Sequence, residues 1–327
     1  MDRPKILVFG GGTGLPTVMR ALTKFPVFLQ AGVTVTDNGG DAGLFRSIDG
    51  SPSFGDYARA IAPICSKSIT RRFEEKVEYN GNVHKLRNVI FSRRFRKFDR
   101  DFRATIEATD SWLGMMNGTG IPTTYESAHL YARLDDRSIV EGETNIDIPK
   151  HDGQRRIVDL WLEPTVKANP NIITAIANAD MIILSPGDFY TSIVASLLPE
   201  GIMEALRRSR ARKVFMLNMM TKWGETHGYV LSDFMESLVQ YIGADVTHDI
   251  VVNSIPPATA VLKRYKDERA EWITVNEDDP YRSRIHWVPL LSEGLMVRHD
   301  PSLIASAFSK LYPSIFYEPF ESQLAIA

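Results

Sequence analysis

Cysteine is nearly absent: Cys65 is the only one in 327 residues. That excludes an internal disulfide and any thiolate metal cluster, and leaves a half-buried thiol in a reducing compartment as the expectation. An excess of one charge is lacking too. A net charge of −2 gives no general reason to expect nucleic-acid or membrane binding. No apolar run is long enough to span a bilayer, and MDRPKILVFG carries an apolar run without a cleavage-site pattern. The histidines show no close pairing of the H-E-x-x-H kind, so zinc ligation has no support. No nucleophile elbow or Ser/His/Asp order is readable, so no catalytic residue is assigned. These absences point to a cytoplasmic protein.

What is present is a repeated βα pattern. Residues 5–9 (KILVF) are apolar throughout, as in a strand covered on both faces. Leu15, Val18, Met19 and Leu22 then recur at helical spacing, with Pro16 in the first turn. Further strands are expected at 30–36, 181–184, 214–217 and 250–252. Helices are expected at 192–207, 231–242 and 258–265. Such units predict an α/β fold with a Rossmann-like, doubly wound, mostly parallel sheet. Residues 66–162 read as an inserted elaboration within a single domain spanning 1–327, helical over 66–117 and antiparallel β over 125–162. Its Arg-rich stretch at 93–103 is a solvated helix face, or else a phosphate-facing or partner-facing patch.

Four glycines, Gly10, Gly11, Gly12 and Gly14, follow the first strand with Thr13 among them. Leu15 stands where a dinucleotide fingerprint needs its third glycine, and no Gly-Lys-Ser/Thr follows. Backbone amides at a helix start still favour an anion there. The plainer alternative is a tight turn without a ligand. A second turn, Ser185-Pro186-Gly187-Asp188-Phe189-Tyr190-Thr191-Ser192, has the same architecture. Asp188 suits an N-cap. Two such turns on one sheet edge suit a ligand with a diphosphate or two polar ends.

Asp37 and Asn38 end the second strand, where a carboxylate can accept from ribose hydroxyls and where turn residues are equally at home. Asp37, Asp41 and Asp56 either converge on magnesium or serve as two turn residues and a cap. His84 and Asn88, four apart, would share one helical face.

The ordered set FGGGTGL, VTVTDNGGDAG, FGDYARA, SPGDFYTSI and LNMMTKWGETHGY, with VEGETNI, KANPNIITAIANADMIIL and VRHDPSLIA, resembles the YvcK-like gluconeogenesis factors. These stand beside the CofD-type phospholactate transferases in one superfamily. The resemblance covers nearly the whole chain and fits least well at 93–115. It implies a Rossmann-like fold, binding of UDP-sugars such as UDP-N-acetylglucosamine, and a regulatory role linking carbon metabolism to cell-wall synthesis and cell shape. It also implies a homodimer. Ligand contacts carry over to Thr13, Asn218 and Arg298, and the ligand-binding set extends to Gly187, Tyr190, Thr191 and Thr221. The alternative is a metal-dependent transferase acting on a nucleotide-diphospho substrate and a deazaflavin acceptor. Under it alone, Asp41 and Asp56 would hold magnesium. No other cofactor is implied. The chain departs from the pattern at Asp41-Ala42-Gly43-Leu44, at Ser53-Phe54 and at Asp188-Phe189. A carboxylate at 188 beside a diphosphate is repulsive unless a metal or arginine compensates.

Overall fold

A strand covered on both faces must send alternate side chains into two separate cores, and these strands do. The computed structural model describes residues 3–50, 52–79, 81–244 and 246–316. Seven strands form one sheet: β1 (Lys5–Gly10), β2 (Phe28–Val33), β3 (Gly118–Pro122), β4 (Met181–Leu184), β5 (Arg212–Met216), β6 (Asp249–Asn253) and β7 (Ile285–Val288). Ile6 and Val8 enter one core while Leu7 and Phe9 enter the other. Met181 and Ile183 against Ile182 and Leu184 repeat the division. Full burial of such side chains stabilises the fold by about 1.5–3 kcal/mol each.

The spatial order is β3-β2-β1-β4-β5-β6-β7, with every neighbouring pair parallel. The expected Rossmann-like α/β architecture is therefore observed. Its switch point lies between β1 and β4, from which the chain builds outward in opposite directions. One core is capped by α1 (Gly14–Leu22), through Leu15, Val18, Met19 and Leu22. After β2 come α2 (Gly40–Asp49) and α3 (Phe54–Ile61), the latter packing Phe54, Tyr57 and Ile61 into the same core. The antiparallel strands expected at 125–162 appear as His129–Leu134, Ile139–Glu141 and Ile157–Glu163. Their inner face, including Leu130, Ala132 and Leu160, joins the other core.

Four expectations are corrected. The second strand ends at Val33 rather than at 36. Residues 192–207 are not one helix: a π-helix at Phe189–Val194 and a 3-10 turn at Ala195–Leu197 precede an α-helix at Ile202–Arg208. Residues 66–117 are not wholly helical, because Lys76–Tyr79 and Asn82–Lys85 form a hairpin. Its signal is the Asn80-Gly81 pair, with Gly81 at φ +77. His84 therefore lies on a strand and Asn88 on the helix Leu86–Lys97, not on one helical face. The edge strand β3 was obscured by its composition, GTGIP. Gly120 is required there, since a Cβ would meet the Tyr57 ring at 2.7 Å.

Candidate functional site

Parallel pairing of β1 with β4 brings their C-terminal turns side by side. The glycines are explained first by this approach. A Cβ on Gly14 would overlap the Pro186 carbonyl, and one on Gly10 would overlap the Ser185 hydroxyl. A Cβ on Gly11 would stand 3.0 Å from Ser192 Oγ. Gly12 instead needs its left-handed backbone, at φ +56. The first neighbour of the glycine turn is thus the second turn.

Between them opens a cavity of about 220 Å3 whose lining includes Thr13, Gly14, Gly187, Asp188, Asn218 and Arg298, together with Tyr265 and His299. Four of the expected ligand residues from three separate turns, and Arg298 from the segment after β7, meet here. Thr13 is the N-cap of α1, yet its side chain makes no cap hydrogen bond. The start of α1 therefore keeps its positive dipole end toward the cavity. Arg298 is exposed at the rim. Burial pushes the His299 imidazole down to about 4, so it is neutral across the physiological range and adds no charge to the cavity.

Asn218 holds the second turn rather than reaching freely outward. Its Oδ1 accepts from Gly187 N at 3.1 Å and its Nδ2 donates to Gly187 O at 2.5 Å. Thr221 is buried, accepting from Glu271 N at 2.9 Å. Tyr190 and Thr191 lie away from the cavity. The Tyr190 hydroxyl bonds Tyr229 at 2.9 Å inside a core. Thr191 Oγ1 donates to Glu225 Oε1 at 3.0 Å, and the amides of Tyr190 and Thr191 donate to Glu225 Oε2 at 2.8 and 3.2 Å. An internal carboxylate already occupies the anion position at the start of that helix.

Charge at the second turn is organised around Lys222. Its Nζ reaches Asp188 Oδ1 at 2.8 Å and Glu225 Oε1 at 3.5 Å, and also pairs with Asp147. Burial opposes its charge, but the carboxylates outweigh burial and raise its pKa. The cation that offsets Asp188 is therefore a lysine, where a metal or arginine was anticipated. Oxygens of Asp147, Asp188 and Glu225 lie within 4.8 Å of one another. The ammonium stands among them, so a metal ion there would have to displace it. Burial pushes Glu225 up, and burial with Asp37 pushes Asp56 to about 6. Burial, Asp37 and Asp147 push Glu143 to about 9.

Of the three aspartates weighed for magnesium, Asp37 and Asp56 feel one another and Asp41 stands apart. Asp41 accepts from His84 Nδ1 and Asn88 Nδ2, each at 3.0 Å, and from Lys85 N at 3.3 Å. Despite burial, those bonds lower its pKa. Asp37 forms a turn, accepting from Gly39 N at 2.8 Å. Asn38 Oδ1 is bound to Thr144, through N at 2.9 Å and Oγ1 at 2.8 Å. The basic 93–103 stretch contributes no lining residue to the cavity and is tied to its own helices and to the hairpin. Arg94 donates to Ala108 O at 2.8 Å, Arg93 covers the Tyr79 ring and Arg103 pairs with Glu107 at 2.8 Å.

The 2-phospho-L-lactate transferase CofD family model matches residues 6–289. The chain belongs to the CofD family. Relatives named gluconeogenesis factor align with nearly the whole of this chain. The protein of that name from Halalkalibacterium halodurans is 32% identical, covering 94% of this chain and 96% of the relative. Its counterpart from Bacillus subtilis is 32% identical, covering 93% and 97%. A crystal structure of a UPF0052 family member from Bacillus halodurans superposes with a TM-score of 0.86 at 31% identity, covering 94% of this chain and 99% of that one. The family resemblance read from the motifs therefore holds. Among the described residues, no helix is long and apolar enough to cross a membrane.

Sequence reasoning missed Lys222, Glu225, Glu143, Asp147, Tyr265 and His299. Lys222 and Glu225 lay in the quoted TKWGETHGY, but nothing in their spacing signals that Glu225 caps a helix 34 residues away.

Proposed function

We propose that this CofD-family protein binds a nucleotide sugar of the UDP-N-acetylglucosamine type as a regulatory ligand, without turnover, and couples carbon metabolism to cell-wall synthesis and cell shape. The observation that carries this is the unequal pair of helix starts. The start of α1 has no side-chain cap and shares a cavity with Arg298, while the second is closed by Glu225. A diphosphate at α1 would gain amide donors, the Thr13 hydroxyl and a bidentate partner in Arg298. The cavity's 220 Å3 is below the roughly 300–1,000 Å3 of a whole-ligand site. It suits the polar middle of such a ligand, with one end left outside.

A second reading is a metal-dependent transferase using a nucleotide-diphospho substrate. The carboxylates of Asp37, Asp56 and Glu143, which repel one another, with Asp188 of the cavity wall acting on Asp56, favour it. Asp56 is then the surviving metal candidate, with Asp41 held by His84 and Asn88. A thermal-shift panel separates the two, because a ligand that binds only the folded state raises its stability. UDP-sugars raise the midpoint without magnesium under the first reading. A shift confined to GDP or GTP with magnesium supports the second and sinks the first.

A further inference from the structure

A second cavity, of about 550 Å3, opens on the other side of the helix Thr259–Tyr265. Trp223, His227, Trp272, Leu262, Lys266 and Arg269 contribute to its wall. Trp223 and His227 meet edge to face with centroids 4.7 Å apart. The Arg269 guanidinium lies 4.3 Å from the centre of the Trp223 ring. It pairs with no carboxylate among the described residues. The backbone of Arg269 is left-handed, at φ +53, a conformation that costs a non-glycine residue energy. Nδ1 of His227 is buried without a hydrogen-bond partner.

Aromatic faces alone would suit any apolar guest. Here two exposed cations, Lys266 and Arg269, stand against one lining carboxylate, Glu271. We infer that this cavity is a second ligand site, for a molecule carrying a planar aromatic ring and an anionic group such as phosphate or sulfonate. The ring stacks against Trp272 and the face of the Arg269 plane turned away from Trp223. The anion meets Lys266 and Arg269, and His227 supplies the remaining polar contact. The two cavities share walls. On one short helix Tyr265 lines the first and Leu262 the second, with Lys266 of the second just past its end, and Met220 of the first bridges Trp272 of the second.

The test uses 1-naphthyl phosphate and its neutral counterpart 1-naphthol, read by the indole N–H resonances of the five tryptophans. The phosphate is expected to shift Trp223 and Trp272 saturably, leaving Trp112, Trp161 and Trp287 unmoved. Naphthol should bind about tenfold more weakly, the size expected for loss of one charge-assisted contact to the anion. Arg269→Gln and, as a second variant, Lys266→Ala should each erode that preference, while Arg298→Ala should not. Unmoved Trp223 and Trp272 resonances would overturn the inference. So would equal affinity for phosphate and naphthol, or loss of binding in Arg298→Ala. None of these outcomes bears on nucleotide-sugar binding in the first cavity.

Discussion

The turn after β1 and the turn after β4 have the same design in sequence: an apolar strand, a glycine-bearing loop, then a helix. In the fold they do opposite things. The first leaves its helix start without a side-chain cap and faces a cavity. The second closes its helix start on Glu225 and locks its glycine through Asn218. Glycine content therefore does not by itself mark an anion site. What marks one is a helix start with donors left over, and that depends on a residue far along the chain.

The strongest way to break this contrast is to open the second turn. Glu225→Leu would leave Lys222, two amides and the Thr191 hydroxyl without their buried partner. The expected loss is roughly 3–5 kcal/mol, as for removing one member of a buried ion pair, measured by urea denaturation. A loss under 1 kcal/mol would mean that the cap is incidental.

Next in size is Gly14→Ala, which drives a Cβ into the Pro186 carbonyl and should cost roughly 2–3 kcal/mol. Gly12→Ala would make only ordinary contacts, with Ser192 Oγ at 3.9 Å and Asp188 Oδ2 at 4.0 Å, but has a left-handed backbone, and should cost only about 1 kcal/mol. If the two cost the same, the turns do not pack as described.

The acidic side of the second turn makes a pH prediction. Glu143 is pushed up to about 9, so the folded protein holds its proton more tightly than the unfolded chain does. Its contribution is therefore full below about pH 4.5 and is lost as pH rises toward 9. Glu143→Gln should raise stability at pH 8 by roughly 1–2 kcal/mol and leave it little changed at pH 5. A variant no more stable at pH 8 than the parent would contradict the crowding of carboxylates there.

Much of the fold was legible because its signals are local. Continuous apolar strands at 5–9 and 181–184 and the helical spacing from Leu15 to Leu22 depend only on neighbours in sequence. The hairpin around Gly81 had its local signal as well, overlooked beneath the charge of its surroundings. The site was legible only in part. Thr13, Gly187 and Arg298 were named from motifs and do meet. Tyr190 and Thr191 were named for their place in a glycine turn, whereas a π-helix turns the Tyr190 ring into a core. Asp41 was grouped with Asp37 by proximity in sequence, yet a hairpin strand and a helix more than 40 residues on claim it. Pairings of that range carry no periodicity to read.

The most direct test is calorimetric titration of UDP-N-acetylglucosamine into the intact chain and into Arg298→Ala, with a chelator present throughout. Arg298 is an exposed rim residue, so the variant should stay within about 0.5 kcal/mol of the parent in stability. The account predicts saturable one-to-one binding to the parent without metal, weakened at least about tenfold in Arg298→Ala, as expected for loss of a charge-assisted contact. No binding to the parent, or equal binding to both proteins, would contradict it.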